Sequence, residues 1–263
     1  MRVNESIVIV HFDAPVVTHG FRRQPTMNVV SLMAHQDDEM FCLGAMLKCR
    51  ARGDRLFFIT VTDGSKGFVQ NPDIPRQEAA AIRHVEMSAL AQAADAEFIN
   101  LGEPDEFLYD TPTVRMAVIE AIRQTRADVI FTHFEQDYNL DHVTVSALVR
   151  HCAMQSCLPV LPTASAPLAQ HPAIFMVEPG GPFAFMPSHF VDISAFQQEK
   201  VRLLDYHASQ NVAMAQATGV GSALGQMVAR VSSFRGWQSG CAHAEGFVSM
   251  HGRGAVKAFG VLP

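Results

Sequence analysis

Short aliphatic and β-branched runs alternate with longer segments of helical period along most of this chain, and no other feature restricts its fold as much. Val29–Ala34, Leu56–Thr62, Glu97–Leu101, Asp128–Phe134 and Ala173–Glu178 read as strands, while Glu39–Arg52, Arg76–Ala94, Pro112–Arg126 and His142–Met154 read as helices. A helix between two strands carries the chain back to the same end of the sheet, so successive strands lie parallel and helices cover both faces. The expected fold is α/β, a Rossmann-like, mostly parallel sheet flanked by helices on both faces. Ile7–His11 reads as one more strand. Beyond residue 155 the pattern loosens through Leu158–Pro172 and the Pro- and Gly-rich Pro179–Pro187, with a helix from Ser194 to about Ser209 and a turn at Gly219–Gly225. At 263 residues the chain reads as a single domain, 1–263, with a loop-rich C-terminal part from about 155.

Composition removes several classes of function. With 48% hydrophobic and 17% charged residues the chain can build a large core, and it holds no apolar run long enough to cross a bilayer. A formal charge of −6 supplies no basic field for nucleic acid or an anionic membrane. The apolar stretch at Ser6–His11 is too short for a secretory signal and follows Glu5, so a cytoplasmic protein is expected. Five cysteines with no C-x-x-C pair argue against a disulfide framework. The partner this leaves is a small-molecule substrate, with homo-oligomer formation left open.

The chemistry concentrates at strand ends. His35-Gln36-Asp37-Asp38-Glu39 follows the first strand and packs an imidazole and three carboxylates into five residues; His133 to His142 follows the fourth. In a parallel sheet both emerge at the carboxyl rim, where open α/β proteins bind ligands. Asp63-Gly64 and Gly102–Asp105 end the second and third strands at the same rim. Acidic residues at one helix start can serve as caps. Two such segments meeting on one rim suit metal binding better. Two imidazoles and a carboxylate match Zn²⁺ with an open fourth position, whereas Mg²⁺ and Ca²⁺ prefer oxygen shells. The expected ligands are His35, Asp38 and His142, with Fe²⁺ as another suitable ion. Asp37 is then free to take a proton from a metal-activated water.

The same residues carry a family resemblance. Ala34-His35-Gln36-Asp37-Asp38-Glu39 resembles the A-H-P-D-D-E signature of the LmbE/PIG-L zinc deacetylases, and Asp137 to His142 resembles their second signature, ending H-P-D-H. Further landmarks follow in order: Thr62-Asp63-Gly64, Arg83-x-x-Glu86, Leu101-Gly102-x-Pro104-Asp105, Val191-Asp192-Ile193, Lys200, His207-x-Ser209-Gln210 and Ala244-Glu245-x-Phe247. Members of that family remove acetyl groups from N-acetylated amino sugars or their conjugates. The resemblance implies zinc on His35, Asp38 and His142 with Asp37 as general base, and Arg83 and Asp105 as contacts to sugar hydroxyls. Tyr138 and His207 are further candidate substrate contacts.

Two departures matter. Gln36 stands where the family has Pro, and Asn139-Leu140 stands where it has His-Pro. The family His is implied to stabilise the oxyanion or protonate the leaving group. Asn139 can donate a hydrogen bond to developing negative charge but cannot shuttle a proton. Asn139 is therefore expected as an oxyanion donor, with the amine's proton coming from Asp37, His133 or His207. Glu106 stands where small residues are common in the family, implying a more polar pocket. The expected function is zinc-dependent removal of an acetyl or other acyl group from an N-acylated amino sugar or sugar conjugate. Rival readings are an amidase for a non-sugar N-acyl metabolite and a catalytically degenerate metal-binding protein. A dinucleotide site is disfavoured because acidic residues, not glycines, follow the first strand.

Overall fold

The computed structural model describes residues 26–181, 183–218 and 223–250. Five strands, β1 (Asn28–Met33), β2 (Arg55–Thr62), β3 (Ala96–Glu103), β4 (Val129–Thr132) and β5 (Ala173–Met176), pair in parallel in the order β3-β2-β1-β4-β5. Two further strands, β6 (His189–Asp192) and β7 (Ala244–Met250), close that side, β7 running antiparallel to both β5 and β6. The expected α/β sheet, mostly parallel, is what forms. Its crossovers are α1 (Leu43–Arg52), α2 (Arg76–Ala93), α3 (Pro112–Gln124) and α4 (Leu140–Gln155).

Period-two alternation sorts the strand side chains into two cores. Val30, Leu32 and Ala34 face α3 and α4 together with Ile59, Val61 and Ile130. Val29 and Met33 face α1 and α2 with Phe58, Val129 and Phe131. Parallel strands covered on both faces read as continuous apolar runs, which is why β1, β2 and β4 are so legible.

Three features depart from the expected elements. The helix expected from Glu39 begins as a 3₁₀ turn over Asp38–Phe41, with α1 starting only at Leu43, because Asp37 turns the chain in the left-handed region (φ 104°). The helix expected from Ser194 to Ser209 is two helices, α5 (Gln197–Leu204) and α6 (Ala208–Thr218), broken around His207. Irregular chain occupies 156–172, but after it come β5, β6, β7 and a long helix, α7 (Ala223–Ser239). The strand expected at Ile7–His11 lies outside the described residues, as does most of the expected turn at Gly219–Gly225. None of the five cysteines forms a disulfide, and no helix among the described residues is long and apolar enough to cross a membrane.

The C-terminal elements are bolted to the first half of the chain through α1. Glu245 on β7 accepts the amides of Gly44 and Ala45 (2.9 and 2.7 Å), which begin α1 and have no partner within it, and its charge is met by buried Lys200 Nζ at 2.8 Å. The approach is so close that a Cβ on Gly44 would sit 2.7 Å from Ile193 Cδ1 and 2.9 Å from Glu245 Oε1. Lys200→Met should leave Glu245 buried without its cation and cost about 3–5 kcal/mol of stability. Urea unfolding monitored by circular dichroism measures it.

Candidate metal centre

Strands β1 and β4 are neighbours, yet α1 and α4 leave them for opposite faces of the sheet. The loops after them diverge and open a crevice at the carboxyl rim, the topological switch point of the fold. His35, Asp37 and Asp38 stand on one side of it and His133, Asp137 and His142 on the other.

Three donor atoms converge there. His35 Nδ1 lies 3.2 Å from His142 Nε2 and 3.3 Å from Asp38 Oδ2, while His142 Nε2 lies 3.3 Å from Asp38 Oδ1. For bonds of about 2.0–2.1 Å the edge of a tetrahedral coordination shell is about 3.3 Å. The two nitrogens stand at that spacing, each faces a different oxygen of Asp38, and one ligand atom from each of the three residues lies within 4.8 Å of the others, close enough to share one ion. The remaining nitrogens fit the same purpose. His35 Nε2 is 3.0 Å from Asp105 Oδ1 and 3.4 Å from Asp141 Oδ2, and His142 Nδ1 is 3.2 Å from Asp137 Oδ2. Carboxylates behind both imidazoles fix ring orientation and tautomer, as metal-bound histidines require. Two other groupings, His133-Asp137-His142 and His35-Asp105-Asp141, also bring metal-binding atoms within reach. The first of these is the weaker candidate because His133 Nε2 already accepts the Ala34 amide at 2.9 Å.

The loop geometry is set by the backbone. Asp38 Oδ2 accepts the His35 amide at 2.7 Å, so the ligand carboxylate also closes its own turn. Arg83 on α2 is 2% exposed, donates from Nη2 to the Gln36 carbonyl and stands 3.4 Å from Asp37 Oδ1. Gly64 has φ +66° and lies against Gln36 Oε1 and Arg83 Nε, so a side chain there would be both strained and obstructed.

Burial and charge pull the titrating groups apart. Burial pushes the Asp37 carboxyl up to about 6 against the opposing charge of Arg83. Burial also works against ionised Asp38, but His142 and His133 hold it well below the usual carboxylate range. His142 is depressed by burial and carried up to about 9 by Asp38 and Asp137. His133 falls to about 4 through burial and the charge of His142, whose ring stacks on it at 4.0 Å. His133 is thus a neutral imidazole at pH 7.

The structure gathers His35, Asp37, Asp38, Asp105, Arg83, Tyr138, Asn139 and His142 around this crevice, at different depths. Tyr138 is 69% exposed, with its ring 5.7 Å from that of His142. Asn139 caps α4, its Oδ1 accepting the Asp141 amide at 2.7 Å and its Nδ2 donating to Glu106 Oε1 at 3.1 Å. Asp105 is buried behind His35 and accepts the Lys66 amide at 2.6 Å. His207 is fully buried against Glu39 Oε1 at 2.7 Å. Arg83 and Glu86 do not pair with each other; Glu86 instead accepts the Ser209 amide and hydroxyl, both at 2.7 Å. Sequence reasoning missed Asp137 and Asp141 as carboxylates behind the histidines, although both stand inside the second signature. Asp141 also accepts the Glu106 and Leu108 amides (2.8 and 3.2 Å), tying the β3 loop to α4.

The family model described as PIG-L, GlcNAc-PI de-N-acetylase, matches residues 30–153 of this chain. Among solved structures, a conserved protein of Thermus thermophilus superposes with a TM-score of 0.70 at 24% identity, over 85% of this chain and 94% of that one. The N,N'-diacetylchitobiose deacetylase of Pyrococcus horikoshii gives 0.72 at 21% identity, over 84% of this chain and 83% of its own. The 4-carboxy-2-hydroxymuconate hydratase of Pseudomonas putida gives 0.73 at 16% identity, over 88% and 99%. At these identities the likeness to solved structures establishes the fold.

His142→Ala should abolish stable zinc binding. Asp105→Asn should weaken it by about 10–100-fold, because it removes the charge behind His35 while keeping the side chain's shape. Zinc content after dialysis and competition with a chromogenic chelator measure both.

Proposed function

Taking residues 30–153 as a PIG-L family domain, we propose that the protein is a metal-dependent hydrolase that removes an acetyl or other acyl group from an N-acylated amino sugar or sugar conjugate. The observation that carries this reading is the convergence of His35, Asp38 and His142, whose imidazole nitrogens stand 3.2 Å apart and each 3.3 Å from an oxygen of Asp38, next to Asp37 in the chain. Zinc held by those three residues would acidify a water and polarise an acyl carbonyl; two nitrogens and an oxygen would also accept Fe²⁺.

Asp37 takes the proton of the attacking water and returns it to the leaving amine. Without a metal ion, burial raises this carboxyl to about 6; a bound cation would draw it down again, towards the ionised form that accepts the water's proton. Neither of the other expected imidazoles is placed to share this work, since His133 is 4% exposed and accepts the Ala34 amide, and His207 has no exposed surface. Arg83 holds Asp37 and the Gln36 carbonyl, and Asp105 orients His35. Of the expected substrate contacts, Tyr138 is the one that opens to solvent, and its phenol is a hydrogen-bond donor at neutral pH. Asn139 contributes to oxyanion binding only by exchanging Glu106 for substrate.

A second reading is a hydratase, the activity named for the Pseudomonas putida protein that shares this fold. Addition of water to a conjugated acid places hydroxyl on one carbon and a proton on the other, and Asp37 would take the water's proton and deliver it to carbon instead of to an amine. A substrate panel separates the two: primary amine released from N-acetylglucosamine and N,N'-diacetylchitobiose supports the hydrolase, and loss of dienoate absorbance from 4-carboxy-2-hydroxymuconate supports the hydratase.

On the substrate that wild type turns over, Asp37→Asn should retain full zinc content and lose about 10²–10⁴-fold in kcat. Wild-type turnover by that variant would remove Asp37 from the mechanism.

A further inference from the structure

Asp37 occupies a backbone conformation that its side chain does not favour. With φ 104° and ψ −21° it sits in a left-handed region whose occupation by a non-glycine residue costs on the order of 1–3 kcal/mol. Such a residue persists only where its surroundings over-determine it. Here its amide donates to Glu39 Oε2 at 3.0 Å, and the other oxygen of that carboxylate, Oε1, receives His207 Nε2 at 2.7 Å. Both partners are buried, Glu39 at 2% exposure and His207 at 0%. The imidazole lies 168 positions along the chain from the carboxylate that it holds.

His207 itself stands on a rigid platform. Its amide donates to the Leu204 carbonyl at the end of α5, and its carbonyl accepts the amides of Gln210 and Asn211 in α6. The two residues after Ala208 are anchored separately, Ser209 on Glu86 of α2 and Gln210 Nε2 on the Gly67 carbonyl at 3.1 Å. An imidazole fixed in this way transmits its position to Glu39, and Glu39 transmits it to the Asp37 backbone. Neither residue needs to touch substrate.

We infer that Glu39 and His207 form a positioning pair that locks Asp37 in its strained turn and so aims its carboxyl at the metal crevice. This assigns the break between α5 and α6 a purpose, because a continuous helix would not present His207 to the turn. The inference rests on the proposed role of Asp37, and its test is chosen to stand apart from that role.

The experiment uses the zinc-loaded full-length protein. In His207→Phe, which keeps a ring but loses the donor, hydrogen exchange at the Asp37 amide, read by NMR, should accelerate by about tenfold or more. Zinc stoichiometry should stay unchanged, and on a substrate that wild type turns over kcat should fall roughly 10–100-fold with KM within about twofold. His207→Gln, which restores an N–H towards Glu39, should recover most of both losses. Should His207→Phe fail to fold, His207→Asn, whose shorter side chain withdraws the donor from Glu39 while Glu39 still accepts the Asp37 amide, reads the same amide. Unchanged protection at Asp37 overturns the inference. So does loss of zinc in step with loss of protection, which would make the pair a general scaffold. If wild type hydrolyses no acylated amine, the hydrolase reading fails, while the amide measurement still decides whether the pair holds Asp37.

Discussion

Everything at the active rim follows from how β1 and β4 part company. Two parallel strands hydrogen-bonded side by side send their helices to opposite faces of the sheet, so the loops between them cannot pack against each other and leave a crevice. The register pairs Val29 with Val129 and Ser31 with Phe131. Loops leaving strands in that register place His35 and Asp38 opposite His142, although 107 positions separate the two histidines. The sheet does the gathering, and the ligands need only sit a few residues beyond their strands.

Concentrating charge there has an electrostatic consequence. Asp37, Asp38, Glu39, Asp105, Asp137 and Asp141 all lie within two layers of the crevice, facing the guanidinium of Arg83 and the imidazoles of His35, His133, His142 and His207. A rim so acidic strongly favours a divalent cation and disfavours phosphate ligands. The same imbalance explains the opposite displacements of the neighbouring carboxyls of Asp37 and Asp38. Asp38 sits between two imidazoles and stays ionised, whereas at Asp37 burial outweighs the charges of Arg83 and His207 and favours its proton. Two adjacent residues of the same type thereby acquire different proton affinities, the separation that the proposed roles of ligand and proton carrier require.

The sequence announces the parts of this arrangement that are local. Continuous apolar runs mark β1, β2 and β4, and ligand chemistry alone selects His35, Asp38 and His142. The closing strands are not legible in the same way. β6 is only His189–Asp192, and β7 carries Glu245 and Gly246 in its first half, residues poor in strand preference. They become strands because β7 pairs with β5 and β6 pairs with β7, a long-range fact that no window of sequence contains. The buried carboxylates behind the histidines are hidden for a related reason. Asp137 and Asp141 look like ordinary loop and helix-start residues, and only the fold turns them towards imidazole nitrogens. Arg83, expected as a contact to sugar hydroxyls, is instead buried beneath Asp37, and Glu86 one turn further on is drawn to Ser209.

The substitution at Asn139 becomes intelligible once Glu106 is seen beside it. Position 139 asks its side chain both to accept the Asp141 amide as an N-cap and to donate to Glu106. Asn does both, at 2.7 and 3.1 Å, and asparagine is among the best N-cap residues. Glu106 adopts φ 64° to make its part of this contact, and its own amide reaches Asp141. The pair therefore joins the loops after β3 and β4 directly over the carboxylate that supports His35. Stability of the rim has been gained where an acid–base group would otherwise stand. In the proposed mechanism proton transfer then falls to Asp37, whose strained turn and buried carboxyl set it apart from its neighbours.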